Sequence, residues 1–368
     1  MPLNSDSFLA ACISVTVVLT LATLVLWTRM PGPAVLRTLL RLVLLVLAQA
    51  AAVLVVLVCV NDKYSLYDSW DDLTGNTATG AAAQLQTVNG PALAHGRKTG
   101  DDAAQVQHAA FRPGPQGLLV ADPVGARSHV HGNLLVWLPP QYNQPDHRGE
   151  RFPVVELLPG QPGSPMAWFD SMNGQDELES LIEQQQARPM ILVAAKSNTL
   201  GMDDAGCVDL PGGPHTETWL ATDVPAIIKG QFRVSADPYD WSVMGYSAGG
   251  YCAVNLAVHH PGVFHSAVSI SGYNAPEAPA VVEDHPSMVD RNNPLLVMRR
   301  KTPQPDVRLL LTGTMEDGDT VSDARALLHA LKSPASGSLL TVAHGGHNMD
   351  VWEAFLPQSF EWINRQLR

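Results

Sequence analysis

Hydrophobic and polar positions divide this chain into two unlike parts. Near the amino terminus, Phe8 to Trp27 (FLAACISVTVVLTLATLVLW) carries no charge, and Leu42 to Val60 is apolar apart from Gln49. Each run is long enough to cross the roughly 30 Å hydrocarbon core of a bilayer as a helix. The pattern predicts a two-helix transmembrane hairpin within residues 1–60, with spans at about 8–27 and 42–60. Arg29, Arg37 and Arg41 lie around the connection, whereas the segment before the first run holds Asp6 and no Lys or Arg. The positive-inside rule then puts the connection in the cytoplasm and both ends outside. A cleaved secretory signal fits less well, because the start lacks a basic stretch and two runs of this length exceed the apolar core of such a signal.

The remainder reads differently. Residues 61–115 form a predicted linker: Tyr64, Tyr67 and Trp70 suit a membrane interface, and Thr74 to Gly96 is rich in Gly, Ala, Thr and Asn, as a loosely packed tether would be. From 116 to 368, short apolar runs alternate with helical patterns. Strands are expected near 117–120, 133–138, 153–158, 190–195, 239–244, 266–271, 307–312 and 338–343. Helices are expected near 176–187, 216–230, 249–260, 321–332 and 351–366. Such alternation argues an α/β domain with a mainly parallel sheet covered by helices on both faces.

Chemistry enters at Trp241-Ser242-Val243-Met244-Gly245-Tyr246-Ser247-Ala248-Gly249-Gly250. An apolar run ends at a Gly-x-Ser-x-Gly pentapeptide, and the helical pattern YCAVNLAVHH follows up to Pro261. This is the context of a nucleophile elbow, in which the serine occupies a sharp strand-to-helix turn and side chains at Gly245 or Gly249 would meet backbone. In an α/β-hydrolase fold an acid and then a histidine must follow in chain order. The run VRLLLT opens into Gly313-Thr314-Met315-Glu316-Asp317-Gly318-Asp319, which offers Asp317 as the acid, with Glu316 and Asp319 as rivals. The run SLLTVA ends in His344-Gly345-Gly346-His347-Asn348, which offers His347 as the base, with His344 as the fallback. The oxyanion that forms in acyl transfer needs two backbone donors. Ala248, after the serine, is one; Gln161, in Pro159-Gly160-Gln161-Pro162-Gly163 after the run PVVELL, is the candidate for the other.

From about Trp137 to Trp362 the chain resembles the esterase D and mycolyltransferase group of α/β-hydrolases, particularly membrane-anchored esterase-like proteins of actinobacteria. The matching pieces are VWLPPQY at 136–142, Leu157-Leu158-Pro159-Gly160, Gly245 to Gly250 with His260-Pro261 and Phe264, and Gly345-Gly346-His347 with Trp352 and Leu356-Pro357. The resemblance implies a serine esterase or acyltransferase acting on carboxylic esters, with Ser247, Asp317 and His347 as triad and Gln161 and Ala248 as oxyanion donors. Pro159 departs from the pattern, since relatives often carry His or Asp before that glycine. The donor is an amide, so the departure touches specificity more than competence.

Charge and cysteines refine the picture. The formal net charge of −12 at pH 7 argues against nucleic acid as a partner. Cys12 and Cys59 lie in the predicted spans, and Cys207 and Cys252 in the outer domain. The second pair is a possible disulfide in an oxidising compartment, with two buried free thiols as the alternative. His129-Val130-His131 puts two imidazoles on one face of an expected edge strand, but no third ligand stands at a matching spacing, so no metal site is expected. No P-loop or dinucleotide fingerprint is present, and no cofactor is expected.

The expectation is a membrane-integrated, multi-pass protein whose α/β-hydrolase domain faces the extracytoplasmic side. Ser247 would take an acyl group from an ester or acyl-lipid and pass it to water or a hydroxyl. Two alternatives are a non-catalytic envelope protein that binds glycans or lipids, and a siderophore esterase.

Overall fold

A computed structural model describes residues 6–64, 70, 109–201, 203–342 and 344–368. The tether expected at Thr74 to Gly96 lies outside the described residues.

Two helices, α1 (Asp6–Leu26) and α2 (Ala34–Tyr64), lead the chain and pack against each other. By length and composition, Ser7–Leu26 and Ala34–Asn61 are apolar enough to cross a membrane. Their mutual seam follows heptad spacing. The more covered positions include Leu9, Cys12, Thr16, Leu19 and Thr23 on α1, and Arg41, Leu44, Ala48, Ala51, Val55 and Val58 on α2. Alternating steps of three and four keep one stripe of each helix facing its neighbour. The small residues Ala48 and Ala51 let the backbones approach there.

The second helix begins at Ala34, eight residues before the expected Leu42. Pro31-Gly32-Pro33 supplies the start, since proline suits the entry to a helix. Arg41 does not interrupt it because the side chain reaches back to the connection. Its guanidinium donates to the Trp27 carbonyl at 2.6 and 3.0 Å and lies 5.0 Å from the Trp27 ring.

The rest of the chain is built on one nine-stranded sheet in the order β1-β2-β3-β5-β4-β6-β7-β8-β9. The strands are β1 (Arg112–Pro113), β2 (Leu119–Ala121), β3 (Leu134–Trp137), β4 (Val154–Leu158), β5 (Ile191–Ala195), β6 (Trp241–Tyr246), β7 (Ser266–Ile270), β8 (Arg308–Thr314) and β9 (Ser336–Val342). β1, β2 and β3 join antiparallel at one edge, and β5 through β9 run parallel. At the other edge β8 and β9 stay in register from Arg308↔Ser336 to Thr314↔Val342.

Helices cover both faces, as the alternation predicts. On one side α3 (Gly174–Glu183) and the carboxyl-terminal helix Leu356–Gln366 pack over Val155, Leu157, Leu192 and Met244, together with the wholly buried Trp168, Phe355 and Phe360. On the other lie α4 (Val224–Gln231), α5 (Ala248–His259) and α6 (Thr320–Ala330), covering Val154, Leu158, Val193, Val243 and Ala267. Short helices at Ala167–Asp170, Pro279–Val282 and Pro294–Arg300, and strand β1, were not expected from the pattern. The histidine pair is corrected too. His129 has φ +59° and His131 only an isolated bridge to Val124, so the two do not share a strand face.

One charge lies in the middle of the sheet. Glu156 of β4 is wholly buried between Val193 and Val243, and neither carboxyl oxygen has a hydrogen-bond partner. Burial pushes its pKa well above the ordinary carboxylate value. The folded chain therefore holds this proton where the unfolded chain releases it. Stability is undiminished by this group below the unfolded pKa near 4.3, and falls as pH rises toward the raised folded value, by about 1.4 kcal/mol per pH unit. Glu156→Gln removes the titration. Its stability relative to the natural chain, measured by urea unfolding, should improve as pH rises above about 5; parallel curves would contradict the argument.

Candidate active site

Parallel strands bring their carboxyl ends to one rim of the sheet, where loops can assemble a site. β6 delivers Ser247 there. This residue has φ +54° and ψ −125°, a strained conformation for a non-glycine residue, and immediately precedes α5. The turn is tight enough to exclude side chains on either flank. A Cβ at Gly245 would lie 2.0 Å from the Gly249 carbonyl oxygen, and one at Gly249 would lie 2.3 Å from the Leu158 oxygen.

His347 lies in the loop after the edge strand β9. Its Nε2 is 2.8 Å from Ser247 Oγ, and its Nδ1 is 2.8 Å from Asp317 Oδ1. The ring stands edge-on to Trp352 at 4.8 Å, and Trp352 stacks on Tyr246, the residue before the serine. Packing thus limits the ring's rotation as well as its reach. Asn348 starts the following helix by accepting from the Val351 amide at 3.2 Å, which fixes the chain just past the histidine.

The three carboxylates of the loop after β8 separate by environment. Asp317 is 5% exposed and meets His347. Glu316 is more than half exposed, accepts from the Gly345 amide at 2.9 Å and pairs with His344 at 3.0 Å. The Gly345 amide, and then His344, hold its carboxyl below the usual range. Asp319 stands at the start of α6 and accepts from Ser322 through its carbonyl at 2.8 Å. Asp317 is thus the carboxylate in line with the serine, and His344 is turned to Glu316 instead.

The loop after β4 packs directly on the elbow. A Cβ at Gly160 would lie 3.1 Å from the Ser247 Cβ and 2.9 Å from the Tyr246 ring. Asn198, just past β5, holds this loop: its amide donates to the Gly160 carbonyl at 3.0 Å and also to the Gly163 carbonyl. Gln161 lies between those anchors. Sequence reading missed Asn198, although a buried asparagine at the carboxyl end of a parallel strand is the kind of signal that would have found it. Ala248 is the first residue of α5, and the first amides of a helix have no acceptor within it.

Cys207 and Cys252 are joined as a disulfide, with Cα atoms 5.5 Å apart. The bond ties the loop after β5 to the helix behind the serine. Next to Ala248 and Gly249 is a small recess walled by Pro159, Asn198, Asp204 and the disulfide. Burial raises the Asp204 carboxyl above its ordinary pKa. Burial, followed by repulsion from Asp323, does the same to Glu277, whose charge also feels His347. Among the described residues no group of three or more His, Cys, Asp or Glu side chains is arranged to hold a metal.

Comparison with known proteins adds family and fold. The Esterase family model matches residues 131–363. An uncharacterized protein of Corynebacterium glutamicum is 26% identical over 243 residues, which take in 62% of this chain and 56% of that protein. The chain thus spans little more than half the length of that relative. Among solved structures, a ferulic acid esterase aligns with TM-score 0.58 and 20% identity, covering 68% of this chain and 98% of its own. An S-formylglutathione hydrolase from Agrobacterium tumefaciens aligns with TM-score 0.57 and 15% identity, covering 71% and 100%. At these identities the likeness is one of fold, and the fold is the α/β-hydrolase fold expected from the elbow.

Proposed function

Because the chain belongs to the Esterase family, we propose that it is a serine esterase or acyltransferase in which Ser247 is the nucleophile, His347 the general base and Asp317 the supporting acid. The reading rests on the unbroken chain of two 2.8 Å contacts from Ser247 Oγ through His347 to Asp317. His347 Nε2 takes the serine proton as Oγ attacks an ester carbonyl. Asp317 orients the ring and stabilises the imidazolium. The negative oxygen of the tetrahedral intermediate is held by the amides of Ala248 and Gln161, fixed before reaction begins. Collapse expels the alcohol, which leaves with the proton from His347, and an acyl-serine remains. Water or a second hydroxyl then repeats the sequence in reverse.

The amino-terminal helices extend the proposal to location. As a membrane hairpin, α1 and α2 would turn at the arginine-bearing connection on the cytoplasmic side and leave the hydrolase domain outside. Substrates would then be esters of the cell envelope, including acylated lipids and glycolipids. The carboxyls of half-buried Asp204 and exposed Glu277 make the surroundings of Ser247 unfavourable to anionic ligands, which weighs against an acidic siderophore.

The test is direct detection of the intermediate. Mixing the protein with p-nitrophenyl butyrate should give a burst of p-nitrophenol equal to the enzyme present, and acid quenching should leave one butyryl group on the peptide holding Ser247. Repeating the reaction with glucose present separates transfer from hydrolysis by the ratio of butyryl sugar to butyrate. A folded protein that gives neither burst nor adduct would overturn the proposal.

A further inference from the structure

The centre of α2 carries one polar group that the fold does not use. Gln49 is the sixteenth of the 31 residues from Ala34 to Tyr64, so it lies about 22 Å from either end of the helix. A glutamine side chain cannot reach water across that distance. The hydroxyls of Ser14, Thr16, Thr20, Thr23 and Thr38 donate to carbonyls of their own helices, four residues back. The Gln49 side-chain amide has no such partner and makes no hydrogen bond with any described residue.

Its position keeps it away from the hairpin seam. The stripe facing α1 passes through Leu44, Ala48, Ala51, Val55 and Val58. Gln49 lies in the middle of the next stripe round, exposed together with Leu42, Leu45, Ala52, Val56 and Cys59. These positions also repeat with steps of three and four, the spacing that lets one helix lie along another. α1 therefore occupies one seam of α2, and a second seam with the amide at its midpoint is left open.

If the hairpin crosses a bilayer, as proposed above, that amide needs a donor and an acceptor in hydrocarbon. A carboxamide supplies both and is its own complement. Copies inserted with one topology present α2 in the same direction and Gln49 at the same depth. A two-fold axis along the membrane normal then sets each Gln49 against its counterpart. Ala52, one turn on, leaves room for the backbones to approach. We propose that this face of α2 pairs with the same face of a second copy of this chain, joined at mid-membrane by reciprocal Gln49 hydrogen bonds.

Cys59 is a native reporter, being exposed on the same stripe. The full chain in phosphatidylcholine vesicles is treated with copper(II) phenanthroline, two equivalents of which take up the two electrons lost when two thiols form a disulfide, while the two protons pass to the buffer. A covalent dimer is expected, absent in Cys59→Ser. Gln49→Leu should weaken association about fivefold or more, read as the loss of cross-linking on dilution in lipid, while Gln49→Asn retains it. Esterase activity should be the same in all three. Equal cross-linking in the natural chain and Gln49→Leu, or none in the natural chain, overturns the pairing. Alkaline carbonate extraction separates the two readings: a chain released to the supernatant refutes the membrane hairpin itself, and a retained chain without cross-link refutes only the pairing.

Discussion

Ser247→Ala is expected to lower esterase turnover by about 10⁴-fold or more and to abolish covalent labelling by a fluorophosphonate. The loss should be this large because the serine oxygen forms the bond on which every later step depends. The oxyanion amides and the binding surface survive the change, so a small residual rate from those alone is expected. Folding should be spared: the backbone strain at φ +54° is tolerated by a small side chain, and among the described residues the seryl oxygen is hydrogen-bonded to His347 alone. Unaltered urea unfolding beside lost labelling would locate the effect in the chemistry. Labelling that persists in the alanine variant would refute Ser247 as the nucleophile.

Asp317→Asn should cost nearly as much, about 10³- to 10⁴-fold in kcat, with little change in KM. An amide in place of the carboxylate can hold the ring through the wrong tautomer and offers no charge to the imidazolium. Glu316→Gln is the informative neighbour. Glu316 is exposed and paired with an exposed His344, and an ion pair in water contributes little. Its rate should stay within about threefold of the natural chain. Equal losses in the two variants would mean that the loop as a whole is at stake and that Asp317 has no special role.

The sheet and the order of the site residues were legible because they rest on patterns that persist over many residues. Buried parallel strands read as unbroken apolar runs, and all eight expected runs lie within a few residues of β2 to β9. The choice among Glu316, Asp317 and Asp319 was not legible. Adjacent residues in a turn differ by direction, and direction follows from how β8 and β9 deliver their loops. The helix at Pro294–Arg300 was missed although Asn293 caps it by accepting from the Leu296 amide at 3.0 Å. The Asn-Pro pair marked its start, but two turns are too short to show a period. Asn198 escaped for a different reason, since its partners are carbonyls 35 and 38 residues earlier in the chain.

The register between β8 and β9 sets more than sheet geometry. Asp317 follows Thr314 by three residues and His347 follows Val342 by five, so the acid and the base are delivered by two neighbouring strands that advance together. Sliding β9 by one residue would carry the histidine loop about 3.3 Å along the strand and turn its side chains to the opposite face. For anyone engineering this enzyme, the 331–335 turn and the small residues of the edge strand therefore count as part of the active site. A loop insertion there that leaves the core intact could still silence the protein, and a compensating shift elsewhere in β9 would be the place to seek its revival.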